Sequence, residues 1–141
     1  MTARDPYDLQ RFLDAQRESY LQAQLELRAG RKDSHWMWYI FPQIKGLGAS
    51  SMAQKYAISS LDEAKAYLGH SLLGHRLEEC TKLVTAVQGR SIEDIFGYPD
   101  HLKFHSSMTL FAHAANDKQI YMEALRKYFR SEFDQQTIAR L

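Results

Sequence analysis

The chain has 141 residues, with 45% hydrophobic and 25% charged side chains, which is the balance of a folded domain rather than of a disordered segment. Its 18 Lys and Arg against 17 Asp and Glu give a formal net charge of +1. This excludes a global field that attracts nucleic acid or an anionic membrane. We therefore expect one domain over residues 1–141, with no nucleic-acid partner and no membrane partner.

The sequence also predicts a cytoplasmic location. The opening residues, Met1 to Pro6, carry no apolar stretch, and the chain has no uninterrupted apolar run of about 18 residues. The single cysteine, Cys80, cannot form an internal disulfide and fits a reducing compartment. Because Cys80 shares a helical apolar stripe with Leu77 and Val84, we interpret it as part of the core.

A long helix is predicted near the N-terminus, between Asp5 and Gly30. Asp5 is a suitable N-cap, Pro6 suits the first helical position and Gly30 can end the helix. Gln16 interrupts the apolar face of this helix, and a buried amide needs hydrogen-bond partners. We favour a structural hydrogen bond for Gln16 over ligand binding.

The segment from His35 to Gln43, HWMWYIFPQ, is the densest in aromatic residues and contains both tryptophans. Pro42 must end any helix there, because the residue before a proline avoids the α region. A strand is the competing interpretation. A short helix is favoured, since no second convincing strand exists to pair with it.

Helix-capping signals divide the rest of the chain. Two four-residue segments, from Ser60 to Glu63 and from Ser91 to Asp94, match the capping-box pattern. Further starts are predicted at Ser50 or Ser51, Ser71, Pro99 and Asn116. Together these signals predict an all-α, compact multihelical single domain of roughly seven helices.

The aromatic segment is the first candidate functional feature. It forms either a buried core helix or a stacking platform that lines a pocket, with polar groups at the rim. On the second interpretation its ligand-binding residues are Lys32, His35, Trp36, Trp38, Tyr39 and Gln43.

The helix after Pro99 is the second candidate. Lys103, Ser106 and Ser107 share one face with a leucine, opposite the apolar stripe that includes Phe104. A lysine with two hydroxyls is suited to contact an anion. The alternative is an ordinary amphipathic helix whose hydroxyls donate to carbonyls four residues earlier.

Neither a metal nor a cofactor is predicted. His101 and His105 have the i, i+4 spacing of a chelating pair, but Leu102 stands where the metalloprotease helix carries its glutamate. The Gly46-Leu47-Gly48 segment lacks both the strand and the spacing of a phosphate-binding loop.

Several blocks of uncommon residues resemble a bacterial family called domain of unknown function 1810. They include HWMW at 35–38, FPQ at 41–43, GLG at 46–48, FG at 96–97 and SSMTLF at 106–111. The resemblance extends over nearly the whole chain and implies a compact multihelical domain. The family has no established activity, so no catalytic residue carries over. Some members are labelled calpastatin, but that inhibitor is disordered, whereas this chain has periodic apolar residues.

These features leave three hypotheses. The first is a cytoplasmic small-molecule binding protein, or an undiscovered enzyme, with an aromatic-lined pocket for a small anionic or nucleotide-like ligand. The second is a protein–protein interaction module that uses the same aromatic segment as its docking surface. The third is that both candidate features are core. The first hypothesis predicts a concave cavity, and the second predicts a flat exposed apolar patch. The third predicts neither.

Overall fold

The computed structural model describes residues 4–141. The first half of the opening segment from Met1 to Pro6, which carries no apolar stretch, therefore lies outside the described residues. Nine helices form in the described part of the chain, rather than the roughly seven predicted. They are α1 (Gln10–Arg28), α2 (Met37–Ile40), α3 (Ser51–Lys55), α4 (Leu61–Gly69), α5 (Ser71–Ala86), α6 (Ile92–Phe96), α7 (Asp100–Ala114), α8 (Gln119–Phe129) and α9 (Gln135–Ile138).

The all-α prediction is confirmed. Extended pairing between residues 4 and 141 is limited to one isolated parallel bridge between Ile44 and Ile58. The helix predicted to start at Ser50 or Ser51 begins at Ser51 and ends at Lys55, before the bridge at Ile58. Within the same residues, no helix combines the length and the apolar character needed to cross a membrane.

Most helix ends follow the local signals. The Asp5 carboxylate accepts hydrogen bonds from two amides at the start of α1, although the helix itself begins only at Gln10. Asp8 interrupts the predicted helix because its φ of 51° is left-handed. At the other end Gly30, with φ of 74°, closes α1 in a Schellman arrangement, in which two amides donate back to carbonyls of the last turn.

The serine caps are also present. The hydroxyls of Ser60 and Ser91 each accept a hydrogen bond from the amide three residues ahead, and Asp94 completes the second capping box. The predicted cap at Asn116 is wrong, because its neighbour Asp117 accepts the bond from the first amide of α8.

The central element is α7, which packs against α4, α6, α8 and α9. Phe104 and Leu110 lie about 120° apart around this helix, and both are fully buried. Its hydroxyl face is therefore covered as well as its apolar stripe. Lys103, in the first turns, keeps 24% of its side chain exposed. The more exposed residues of α7 are thus concentrated near its N-terminal end.

The aromatic segment forms the short helix α2 and supplies the core, as the helical interpretation predicts. Trp36 and Phe41 join Phe96, Phe104 and Phe129 in one continuous cluster of rings, with centroids 4.9–6.4 Å apart. Three of these six pairs are edge-to-face, an arrangement that aromatic quadrupoles favour.

Candidate functional site

Glu26 is a buried carboxylate that fixes the loop between α1 and α2. Its Oε1 accepts hydrogen bonds from the backbone amides of Asp33 (2.7 Å) and Ser34 (2.8 Å) and from Trp36 Nε1 (3.0 Å). Its Oε2 accepts from the Ser34 hydroxyl at 2.6 Å and from Gln22 at 2.9 Å. Burial alone favours the protonated acid, but these hydrogen bonds outweigh it and lower the pKa of Glu26 to about 2.

Lys32 also serves this loop. Its Nζ lies 2.8 Å from Asp100 Oδ2, donates to the Ser34 carbonyl at 2.6 Å, and stands 5.1 Å from the Trp36 ring centroid. Only 7% of the side chain is exposed. Two predicted ligand residues, Lys32 and Trp36, therefore hold α1, the loop and the start of α7 together.

Tyr39 contacts the backbone of His35, since its hydroxyl lies 3.4 Å from the His35 carbonyl oxygen, but the two side chains differ in exposure. Tyr39 is buried and donates from its hydroxyl to Ser19 Oγ at 2.9 Å. Its backbone carbonyl accepts a hydrogen bond from the side-chain amide of Gln16 at 2.7 Å. This contact confirms the structural hydrogen bond predicted for Gln16. His35 is exposed on the outer surface. Neither of these two predicted residues lines the groove described next.

A groove at the N-terminal end of α7 does bring predicted residues together. We call it the α7 groove; its volume is about 420 Å³. It lies between the loop after α2, the first turns of α7 and the segment that enters α9. Its walls are formed by Gln43, Leu47, Gly48, Pro99, Leu102, Lys103, His105, Ser106, Asp134 and Gln136. Three predicted residues, Gln43, Lys103 and Ser106, line this one groove.

Lys103 is the cation of the α7 groove. Its Nζ lies 3.3 Å from Asp100 Oδ1 and 5.3 Å from the ring centroid of Trp38. Asp100 thus contacts both Lys103 and Lys32, which leaves one positive charge in excess among the three side chains. The half-buried Trp38 flanks the lysine, and its indole N–H has no hydrogen-bond partner in residues 4–141.

Asp134 is the anion of the same groove, and it is not among the residues predicted from the sequence. Its Oδ2 accepts hydrogen bonds from Ser106 Oγ (2.8 Å) and Thr137 Oγ1 (2.6 Å). Burial opposes ionisation, but these hydrogen bonds prevail and hold the pKa of Asp134 below its ordinary value. Its weak basicity and the engaged Ser106 hydroxyl are better suited to binding than to proton transfer.

The two serines of α7 differ in their surroundings. Ser106 Oγ lies 3.2 Å from the Leu102 carbonyl, as the amphipathic-helix alternative predicts, in addition to its contact with Asp134. Ser107 is fully buried, is not among the residues that line the α7 groove, and its hydroxyl has no partner in the described part of the chain.

The histidines of α7 have identifiable contacts of their own. His105 Nε2 lies 2.8 Å from the Glu132 carbonyl, and its ring stacks on Phe129 with centroids 4.0 Å apart. His101 Nδ1 lies 3.2 Å from the Gly97 carbonyl. These contacts give both rings packing and hydrogen-bonding roles within the fold.

Comparison with known proteins places the chain in a family. The model of the family described as a protein of unknown function (DUF1810) matches residues 6–141. The chain belongs to this family. It is also similar to the conserved hypothetical protein Rv1873 from Mycobacterium tuberculosis, whose crystal structure was determined at 1.38 Å. The two are 58% identical, the match covers 97% of this chain and 98% of that one, and the TM-score is 0.96. No curated protein matches the sequence.

Proposed function

We propose that this protein binds a small anionic molecule in the α7 groove, within the cytoplasm. The observation that carries this proposal is the meeting of Gln43, Lys103 and Ser106, from two distant segments, along one concave surface. A cytoplasmic location accords with the single cysteine, Cys80, which is fully buried and whose pKa burial raises to about 12.

The charges of the groove indicate what kind of ligand it takes. The ammonium group of Lys103 has three N–H donors, and the Asp100 contact at 3.3 Å occupies one of them. The excess positive charge beside Trp38 therefore favours one anionic group there. Asp134 lies on the other wall and repels a second anionic group, while it can accept a hydrogen bond from a ligand hydroxyl or amine. A monoanion with hydroxyl or amino groups fits this pattern.

The size of the groove supports a small molecule. Its volume of about 420 Å³ lies within the range of roughly 300–1,000 Å³ for ligand pockets. The competing interaction-module hypothesis requires the aromatic segment at the surface. Trp36 is 1% exposed and Tyr39 is 8% exposed, so the segment has no broad apolar patch to offer a partner.

A thermal-shift screen tests the proposal. Purified protein is incubated with anionic metabolites, including hydroxy acids, sugar phosphates and nucleotides. A ligand present at about a hundred times its Kd adds about 2.7 kcal/mol to the free energy of unfolding. At this chain length that raises the Tm by several degrees. Lys103→Ala and Gln43→Ala should abolish the shift, whereas Lys82→Ala, at an exposed lysine of α5, should retain it.

Two results contradict the proposal. One is a broad screen in which no anion raises the Tm of the wild-type protein. The other is a shift that survives in Lys103→Ala at full size, which would place the ligand elsewhere.

A further inference from the structure

The outer face of α1 is exposed and carries two leucines. Leu21 is 67% exposed and Leu25 is 51% exposed, and their spacing of four residues places them side by side on the helix. The inner side of α1 packs against α2 and α5. One exposed leucine is ordinary, but two adjacent leucines that are each more than half exposed form an apolar patch that no other described residue covers.

Two charged residues of opposite sign flank this patch. Glu18 lies three residues before Leu21, and Arg28 lies three residues after Leu25. Both charged residues are exposed, and neither enters an ion pair within residues 4–141. The outer face therefore carries, in chain order, an acid, two leucines and a base. The spacing of this pattern is symmetric about the midpoint of the two leucines, and its charges are opposite.

Such a pattern is complementary to a second copy of itself in the antiparallel direction. In the register that places Leu21 of each copy on Leu25 of the other, Glu18 of each copy also lies opposite Arg28 of the other. One register thus satisfies both the apolar contacts and the ion pairs, as a two-fold interface requires. A parallel arrangement would instead place Glu18 against Glu18 and Arg28 against Arg28, and like charges repel.

We propose that this protein forms a symmetric homodimer through the outer face of α1. Four leucines pack at its centre, which removes the apolar patch from water, and an ion pair closes each end. Two further charged residues of α1, Asp14 and Arg17, pair with each other at 3.3 Å and leave this match unchanged. From Asp14 to Arg28 the face is about 21 Å long, at 1.5 Å per residue. One helix pair of this length is smaller than a standard interface, so the dimer is weak and forms at high protein concentration.

The first test is sedimentation equilibrium of the full chain. Protein at about 10 μM to 1 mM is measured in about 0.15 M salt, which screens charges that are not in contact. The average mass of the wild-type protein should rise from 16.4 kDa toward twice that value. Leu25→Ala should weaken dimerisation by about tenfold or more, because each dimer loses two central side chains. Leu72→Ala, at an exposed leucine of α5, should dimerise as wild type does.

Charge reversal is the more specific test. Glu18→Lys and Arg28→Glu should each stay monomeric, because both flanking contacts then join like charges. An equimolar mixture of these two variants should dimerise at least as well as wild type, since both contacts between the unlike chains are then of opposite sign. Lys82→Glu and Glu132→Lys reverse exposed charges outside α1, and each should dimerise as wild type does.

Recovery in the mixture also shows that the two α1 variants are folded, so their failure to dimerise alone is not due to misfolding. Four results overturn the proposal. The first is a wild-type protein whose mass stays at 16.4 kDa at the highest concentration. The second is wild-type dimerisation in Leu25→Ala, and the third is wild-type dimerisation in either α1 charge variant alone. The fourth is a mixture of the two charge variants that stays monomeric.

Discussion

Two lysines contact the same carboxylate, yet they stand in different environments. Lys32 lies 2.8 Å from Asp100, donates to a backbone carbonyl and is 7% exposed. Lys103 lies 3.3 Å from the other oxygen of Asp100, faces the α7 groove and is 24% exposed. Each also stands over a tryptophan ring. The comparison shows that burial and backbone hydrogen bonding, not residue type, separate a lysine that serves the fold from one that can bind a ligand.

The surrounding regions repeat this contrast. Beside the loop at residues 31–36, the Glu26 carboxylate accepts five hydrogen bonds, four from the loop and one from Gln22 of α1. In the α7 groove, Lys103 and Asp134 line an open concave surface. Mutations in the loop should therefore change stability, and mutations in the groove should change binding.

The largest expected effect is at the ring cluster that supports both regions. Phe104 is fully buried and packs edge-to-face on Phe41 at 5.0 Å and stacked on Phe96 at 4.9 Å. Phe104→Ala should lower the free energy of unfolding by about 3 to 5 kcal/mol in urea denaturation. Leu102→Ala, at a residue of the same helix that is 48% exposed, should change it by about 0.5 kcal/mol or less. Similar losses of unfolding free energy in the two variants would contradict the central place of α7 in the core.

The next effect is at Glu26. Glu26→Gln should destabilise the protein by about 3 kcal/mol, because Trp36 Nε1 and the loop amides lose a charged acceptor. The folded-state pKa of about 2 lies below the ordinary 4.5. The stabilisation is therefore complete above about pH 4.5 and is lost as the pH falls toward 2.

Urea denaturation across this pH range checks both parts of the expectation. The difference in unfolding free energy between wild type and Glu26→Gln should shrink as the pH is lowered through the window. A difference that stays constant down to the lowest pH would show that the carboxylate charge is not what fixes the loop.

Much of the fold could be predicted because it depends on local chemistry. A serine with an acidic residue three positions later specifies a helix start within four residues, as at Ser91 and Asp94. The stripe around Cys80 specifies a buried face within one helix, and Cys80 is fully buried. The aromatic segment could be assigned to a helix because no partner strand was available.

The rest depends on contacts between distant segments. Glu26 shares the inner stripe of α1 with Ala23, a signal that could have marked it as a buried carboxylate, but its partners come from the following loop. Asp134 precedes α9, a helix of four residues that is too short for periodicity to reveal. Its place beside Ser106 follows only from tertiary packing.

The two lysines allow the most direct test of the division between fold and groove. Urea unfolding of Lys32→Ala and Lys103→Ala, followed side by side by circular dichroism, compares residues that share the Asp100 carboxylate. Lys32→Ala should lose about 2 kcal/mol, because a buried charged hydrogen bond and its backbone contact disappear. Lys103→Ala should stay within about 1 kcal/mol of wild type. Equal losses, or a larger loss in Lys103→Ala, would contradict the assignment of Lys103 to ligand binding.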